Sequence, residues 1–119
     1  MPYVDGFVLA VPEKRLAEYK RWARKAGKVW IDNGALSYTE CVADDVPVGK
    51  VTSFTRAVKL AKGETVVFAW IAYRSRRHRD EVNKKVMADP RLADQMATKD
   101  APFAADRMIY GGFKSFVEL

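Results

Sequence analysis

Residues 3–11, "YVDGFVLAV", set aromatic and β-branched side chains one after another until Pro12 closes the run, the make-up of an extended strand. Strand side chains alternate, so Tyr3, Asp5, Phe7 and Leu9 fall on one side and Val4, Gly6, Val8 and Ala10 on the other. From Glu13 to about Asn33 the period changes to that of a helix. Leu16, Tyr19, Ala23, Ala26 and Trp30 stand three and four apart, flanked by Trp22 and Val29, with Lys14, Glu18, Arg21, Lys25, Lys28 and Asp32 opposite. Asn33-Gly34 then supplies the stop. Further strands are predicted over about 36–43 and 65–73, "TVVFAWIAY". The connection between them, about 20 residues opened by Pro47-Val48-Gly49, is long enough to carry structure or function of its own, and Phe54, Ala57 and Val58 fit one helical turn. Ser75 suits the cap of a second helix with Val82 and Val86 inward, and Asp89-Pro90 ends it and begins a short third. A loop over 97–106 and a last strand over 107–117, "RMIYGGFKSFV", complete the chain.

The order strand, helix, strand, strand, helix, strand predicts one α+β domain over residues 1–119. It is the ferredoxin-like βαββαβ arrangement, a four-stranded antiparallel sheet with its helices on one face. Sorting side chains by size predicts that Val4, Gly6, Val8 and Ala10 pack under the helices. Asp5, Phe7 and Leu9 would then join Phe68, Trp70, Met108 and Tyr110 on an open aromatic face. A face of that kind calls for a cover, and a homodimer in which two sheets pack into a barrel with an interior space provides one.

Composition narrows the setting. A single cysteine in 119 residues makes no internal disulfide, which suits a reducing compartment and predicts a cytoplasmic protein. The start lacks a basic segment followed by an apolar one, and no apolar run approaches the roughly 20 residues of a membrane helix. The net charge of +6 is concentrated: residues 13–32 hold seven Lys/Arg against three Asp/Glu, and residues 74–85 hold six against two.

Particular strings also point to a family. Glu40-Cys41 with Asp44-Asp45-Val46-Pro47, then Gly49-Lys50-Val51-Thr52, Phe54 and Ala57-Val58-Lys59, resemble the YbaA-like family of small bacterial proteins. So do Glu64 to Phe68 with Trp70-Ile71, Arg79-Asp80, Asp89-Pro90-Arg91, and the stretch from Pro102-Phe103 to Arg107-Met108-Ile109-Tyr110-Gly111-Gly112-Phe113. The resemblance spans nearly the whole chain and implies the dimeric α+β barrel fold. It implies no reaction and no catalytic residues.

The candidate chemistry centres on two carboxylates. Glu40 and Asp5 fall on the face assigned to the barrel interior, two strand spacings or roughly 10 Å apart. A carboxylate partly withdrawn from water serves as a general acid or base near neutrality. Phe7, Tyr38, Phe68, Trp70, Tyr110 and Arg107 are the candidate ligand-binding residues, Arg107 being also a possible ion-pair partner for Glu40. The expected ligand is a small, partly apolar molecule, with acid/base or monooxygenase-like chemistry and no cofactor, by analogy with other dimeric barrels. Cys41, with acidic neighbours in sequence, reads as a structural residue rather than a nucleophile. His78, among arginines, reads as a solvated helix residue, and no His/Cys spacing suggests a metal. Gly111-Gly112 reads as a bulge. The alternative is an RNA- or polyanion-binding module using the basic helix faces. "GGFKSFVEL" matches the RNA-recognition signature poorly, with Gly at its basic first position.

Overall fold

The computed structural model describes residues 2–97 and 100–119. Strand β1 (Tyr3–Pro12) leads through a tight turn, Glu13–Arg15, into helix α1 (Leu16–Asp32), and β2 (Ser37–Val42) follows. A one-turn helix α2 (Phe54–Ala57) lies in the long connection to β3 (Glu64–Tyr73). Helices α3 (Arg76–Met87) and α4 (Pro90–Met96) then precede β4 (Ile109–Lys114). The caps are the ones their residue types favour: the Ser75 hydroxyl accepts from the His78 N–H, and the Asp89 carboxylate accepts from the Arg91 N–H ahead of Pro90. The predicted loop over 97–106 includes residues 98 and 99, which lie outside the described residues; within it Ala105–Arg107 form a 3-10 turn, and β4 is shorter than the predicted 107–117.

The four strands form one antiparallel sheet in the order β2-β3-β1-β4, the predicted α+β arrangement. The helices cover one side. Leu9, Val11 and Val67 pack with Tyr19 and Ala23 of α1, and Tyr3, Ile71 and Tyr73 pack with Val29 of α1, Val82 and Val86 of α3 and Leu92 of α4. On the other side the β2–β3 connection folds over one end of the sheet, where the fully buried Val58 meets Val8, Ala10 and Val66.

The register reverses the face assignment made from side-chain size. Asp5 is opposite Ile71, Phe7 opposite Ala69 and Leu9 opposite Val67, so the large side chains of β1 lie under the helices. Val4, Gly6 and Val8 lie on the open side, facing Ala72, Trp70 and Phe68 across the strand pair. Large and small side chains complement one another within a single face, Trp70 beside Gly6, instead of being sorted to opposite faces. On β4, Tyr110 is opposite Phe7 on the helix side, and Ile109 and Phe113 are on the open side. Gly111 and Gly112 sit in unbroken pairing with Gly6 and Asp5, without the expected bulge. A Cβ at residue 112 would run into the Tyr3 hydroxyl, so close packing is what the glycine serves there.

Candidate functional site

Strand alternation puts Tyr38 and Glu40 of β2 on the helix-covered side, where α1 presents Tyr19 to them. The Tyr19 hydroxyl donates to Glu40 Oε1 and the Tyr38 hydroxyl donates to Glu40 Oε2 at 2.6 Å. Burial, and then the charge of Glu40 itself, pushes both phenols far above the ordinary tyrosine range. Both therefore remain protonated donors, and they fix the carboxylate in one orientation. Gly27 makes this possible: a Cβ there would stand 2.6 Å from the Tyr38 ring, so only glycine lets the ring lie against α1.

Beside this triad, between sheet and helices, lies a cavity of about 190 Å³. Its walls are Phe7, Leu9 and Ile71 from the sheet, Trp22 and Trp30 from α1, and Phe103 and Met108 from the segment before β4. The rings support one another, Trp22 meeting Phe103 edge-on at 5.0 Å and stacking with Tyr19 at 5.9 Å. The Trp30 indole N–H donates to Asn83 Oδ1 at 3.2 Å, which anchors that wall to α3. Glu40 is the one charged side chain among the residues lining this space.

The other sequence candidates are distributed around this site. Phe7 and Tyr38 are walls of the cavity, while Tyr110 stacks on Phe7 at 6.2 Å from the exposed edge strand. Phe68 and Trp70 lie on the opposite face of the sheet. Asp5 shares the helix-covered face with Glu40 but belongs to a separate cluster: it is 6% exposed and bonded to Arg79 Nη1 at 2.7 Å, with the guanidinium over the Tyr3 ring at 4.9 Å. Burial raises its pKa despite the opposing pull of Arg79. Arg107 does not meet Glu40; it grips Glu64 with two nitrogens at 2.8 and 2.6 Å and donates to the carbonyls of Val58 and Lys59. Cys41 is exposed, opposite Phe68 on the open side. His78 is buried rather than solvated, its Nδ1 accepting from the Arg74 N–H at 3.0 Å and its ring edge-on to Tyr73.

Tyr19, Trp22, Trp30 and Phe103 were read from the sequence only as core or loop. The available signal was that α1 turns three aromatic residues inward where aliphatic ones would fill a plain core.

Residues 2–105 match the family model described as "Protein of unknown function (DUF1428)". The chain belongs to this family. The likeness drawn from the sequence motifs is confirmed by two relatives, each named "Uncharacterized protein YbaA", from Escherichia coli (strain K12) and Shigella flexneri. Each is 48% identical over 118 residues, covering 99% of both chains. Among solved structures, "Structure of Rv0793 from Mycobacterium tuberculosis" superposes with a TM-score of 0.60 at 14% identity, covering 99% of this chain and 98% of that one, which shows a shared fold. For this DUF1428 member, no helix among the described residues is long and apolar enough to cross a membrane.

Proposed function

We propose that the chain binds a small ring-bearing molecule in the cavity beneath α1, with Glu40 as the group that takes a proton or hydrogen bond from it. The observation that carries this reading is a carboxylate held by the hydroxyls of the buried Tyr19 and the half-buried Tyr38 at the wall of an otherwise aromatic and aliphatic space. Apolar walls with a few convergent polar groups are the usual make-up of a ligand site. Oriented by Tyr19 and Tyr38, the carboxylate is placed for acid/base work on a ligand atom next to the ring. The site lies inside one chain, under the helices, rather than in the interior of a two-chain barrel. The open side of the sheet is the surface on which we propose the homodimer forms, in a cytoplasm whose reducing conditions suit the exposed Cys41 thiol.

The basic face of α3 and Arg91 offer a weaker site for a polyanion. Arg76 and Arg77 pair along α3 with Asp80 and Glu81, Arg79 turns inward to Asp5, and Arg91 is shared between Asp32 and Asp89.

Toluene and benzyl alcohol separate shape from hydrogen bonding at Glu40. By calorimetry or ligand-observed NMR, benzyl alcohol should bind about tenfold tighter than toluene, since a hydrogen bond to a charged group contributes about 1.5–3 kcal/mol. Glu40→Gln should remove most of that preference while toluene still binds. Failure of both compounds to bind, or a preference untouched by Glu40→Gln, overturns the reading.

A further inference from the structure

The cavity has a neighbour on its outer side. Between α1 and the edge strand β2 runs a groove of about 720 Å³, and Tyr19, Tyr38 and Glu40 line both it and the cavity. Ala23 and Gly27 of α1 and Cys41 and Val42 of β2 also line the groove. Along the α1 side stand Lys20, Arg24 and Lys28, four residues apart and so about 6 Å from one to the next along the helix. The remaining charges in the groove are Asp32 and Glu40. Asp32 is already matched, by Arg91 at 2.8 Å and by Lys28 at 3.8 Å, and these cations hold its carboxyl below the usual range. Glu40 is matched by the two phenols. Lys20 and Arg24 form no ion pair among the described residues, which leaves two cations side by side at the rim of a space leading to Glu40.

We infer that the ligand of this site is an aromatic acid: its ring lies in the cavity, its carboxylate meets Lys20 and Arg24 in the groove, and the atom joining them presents its proton to Glu40. This rests on the cavity reading above and adds the class of ligand. Three features of these two spaces, which share Tyr19, Tyr38 and Glu40 as lining, support it. The inner space is apolar, the middle holds an oriented carboxylate that accepts, and the outer rim holds two uncommitted cations that match a bidentate anion. A neutral apolar ligand would use the first feature alone, and an aliphatic dianion would leave the aromatic walls unused.

Mandelate carries ring, hydroxyl and carboxylate in this order, and benzyl alcohol is the same molecule without the carboxylate. The wild-type chain should bind mandelate about tenfold tighter than benzyl alcohol at low salt, the combined effect of two solvent-exposed charges. That ratio should fall to about one in the Lys20→Gln/Arg24→Gln double variant, and should shrink in about 1 M salt, where screening acts over about 3 Å. Both side chains are exposed, and an unchanged melting curve verifies that the double variant is folded. Benzyl alcohol binding with no preference for mandelate, or a preference that survives the double substitution, overturns this inference and leaves the cavity reading in place. Binding of none of the compounds removes both.

Discussion

At the scale of single residues, the site depends on one missing methyl group. Gly27 lies inside α1, where replacing glycine by alanine ordinarily stabilises a helix by about 1 kcal/mol. Here the added Cβ would sit 2.6 Å from Cδ1 and 2.8 Å from Cε1 of Tyr38, closer than packed carbon atoms come, so the ring must move off the helix. Overpacking of this kind costs about 1–3 kcal/mol, so the usual sign should reverse. Gly27→Ala is expected to lower the urea midpoint and, by moving the Tyr38 hydroxyl off Glu40, to weaken benzyl alcohol binding. A variant more stable than wild type would mean that the ring does not rest against the helix. Legibility at this scale was mixed. Glu40 could be singled out from the sequence by strand alternation, as a carboxylate on the face assigned to the barrel interior. Of its two phenol partners Tyr38 could be named as a ligand-binding candidate and Tyr19 could not, because Tyr19 shares the helical spacing of a core residue and only the three-dimensional approach of α1 to β2 turns its hydroxyl toward a carboxylate.

At the scale of elements, the Asp5–Arg79 pair fastens α3 to the centre of the sheet, joining a strand and a helix that are 74 residues apart along the chain. Both partners are largely withdrawn from solvent; removing Asp5 leaves Arg79 with Asp80 as its only carboxylate partner among the described residues, at 2.8 Å on Nε, so the cost falls toward the lower end of the about 3–5 kcal/mol typical of a broken buried pair. Asp5→Ala is expected to destabilise the fold by about that amount in chemical denaturation. The pH dependence follows from the raised pKa of Asp5, whose ordinary value is 3.8. Between 3.8 and the higher folded value the native state keeps a proton that the unfolded chain has released, so this residue's contribution declines as pH rises through that window. Asp32, Glu64 and Asp89 have lowered values and act in the opposite sense, their contribution being lost as pH falls below the ordinary carboxylate range. Denaturation curves of wild type and Asp5→Asn, subtracted at each pH, should isolate the declining component; a flat difference would contradict it. Element order and most element bounds could be read from periodicity and caps alone. The facing of the strands could not, because a strand's own alternation leaves open which side meets the helices. That is decided by register, where Asp5 opposite Ile71 rather than Trp70 sends every large side chain of β1 inward.

At the scale of the whole molecule, the same parity gives the sheet two faces with separate tasks. The side beneath the helices holds the cavity. The other side leaves Phe68, Ile109 and Phe113 41%, 45% and 65% exposed around the half-buried Trp70, with the β2–β3 connection covering only one end. An apolar surface of this kind is uncommon on a monomer, and a second copy would bring the same residues to meet it by two-fold symmetry. Light scattering coupled to gel filtration should give twice the 13.5 kDa chain mass at micromolar concentration. Phe113→Asp, which places a charge at an exposed position of β4 without touching the helix side, should return the chain mass with little change in thermal stability of the fold. A wild-type monomer, or a dimer indifferent to Phe113→Asp, would show that the sheets do not meet through this face. Because the cavity belongs to a single chain, the monomeric variant should still bind benzyl alcohol with near wild-type affinity. Loss of binding together with loss of the dimer would instead place the ligand between the two sheets, against Phe68 and Trp70 rather than Glu40.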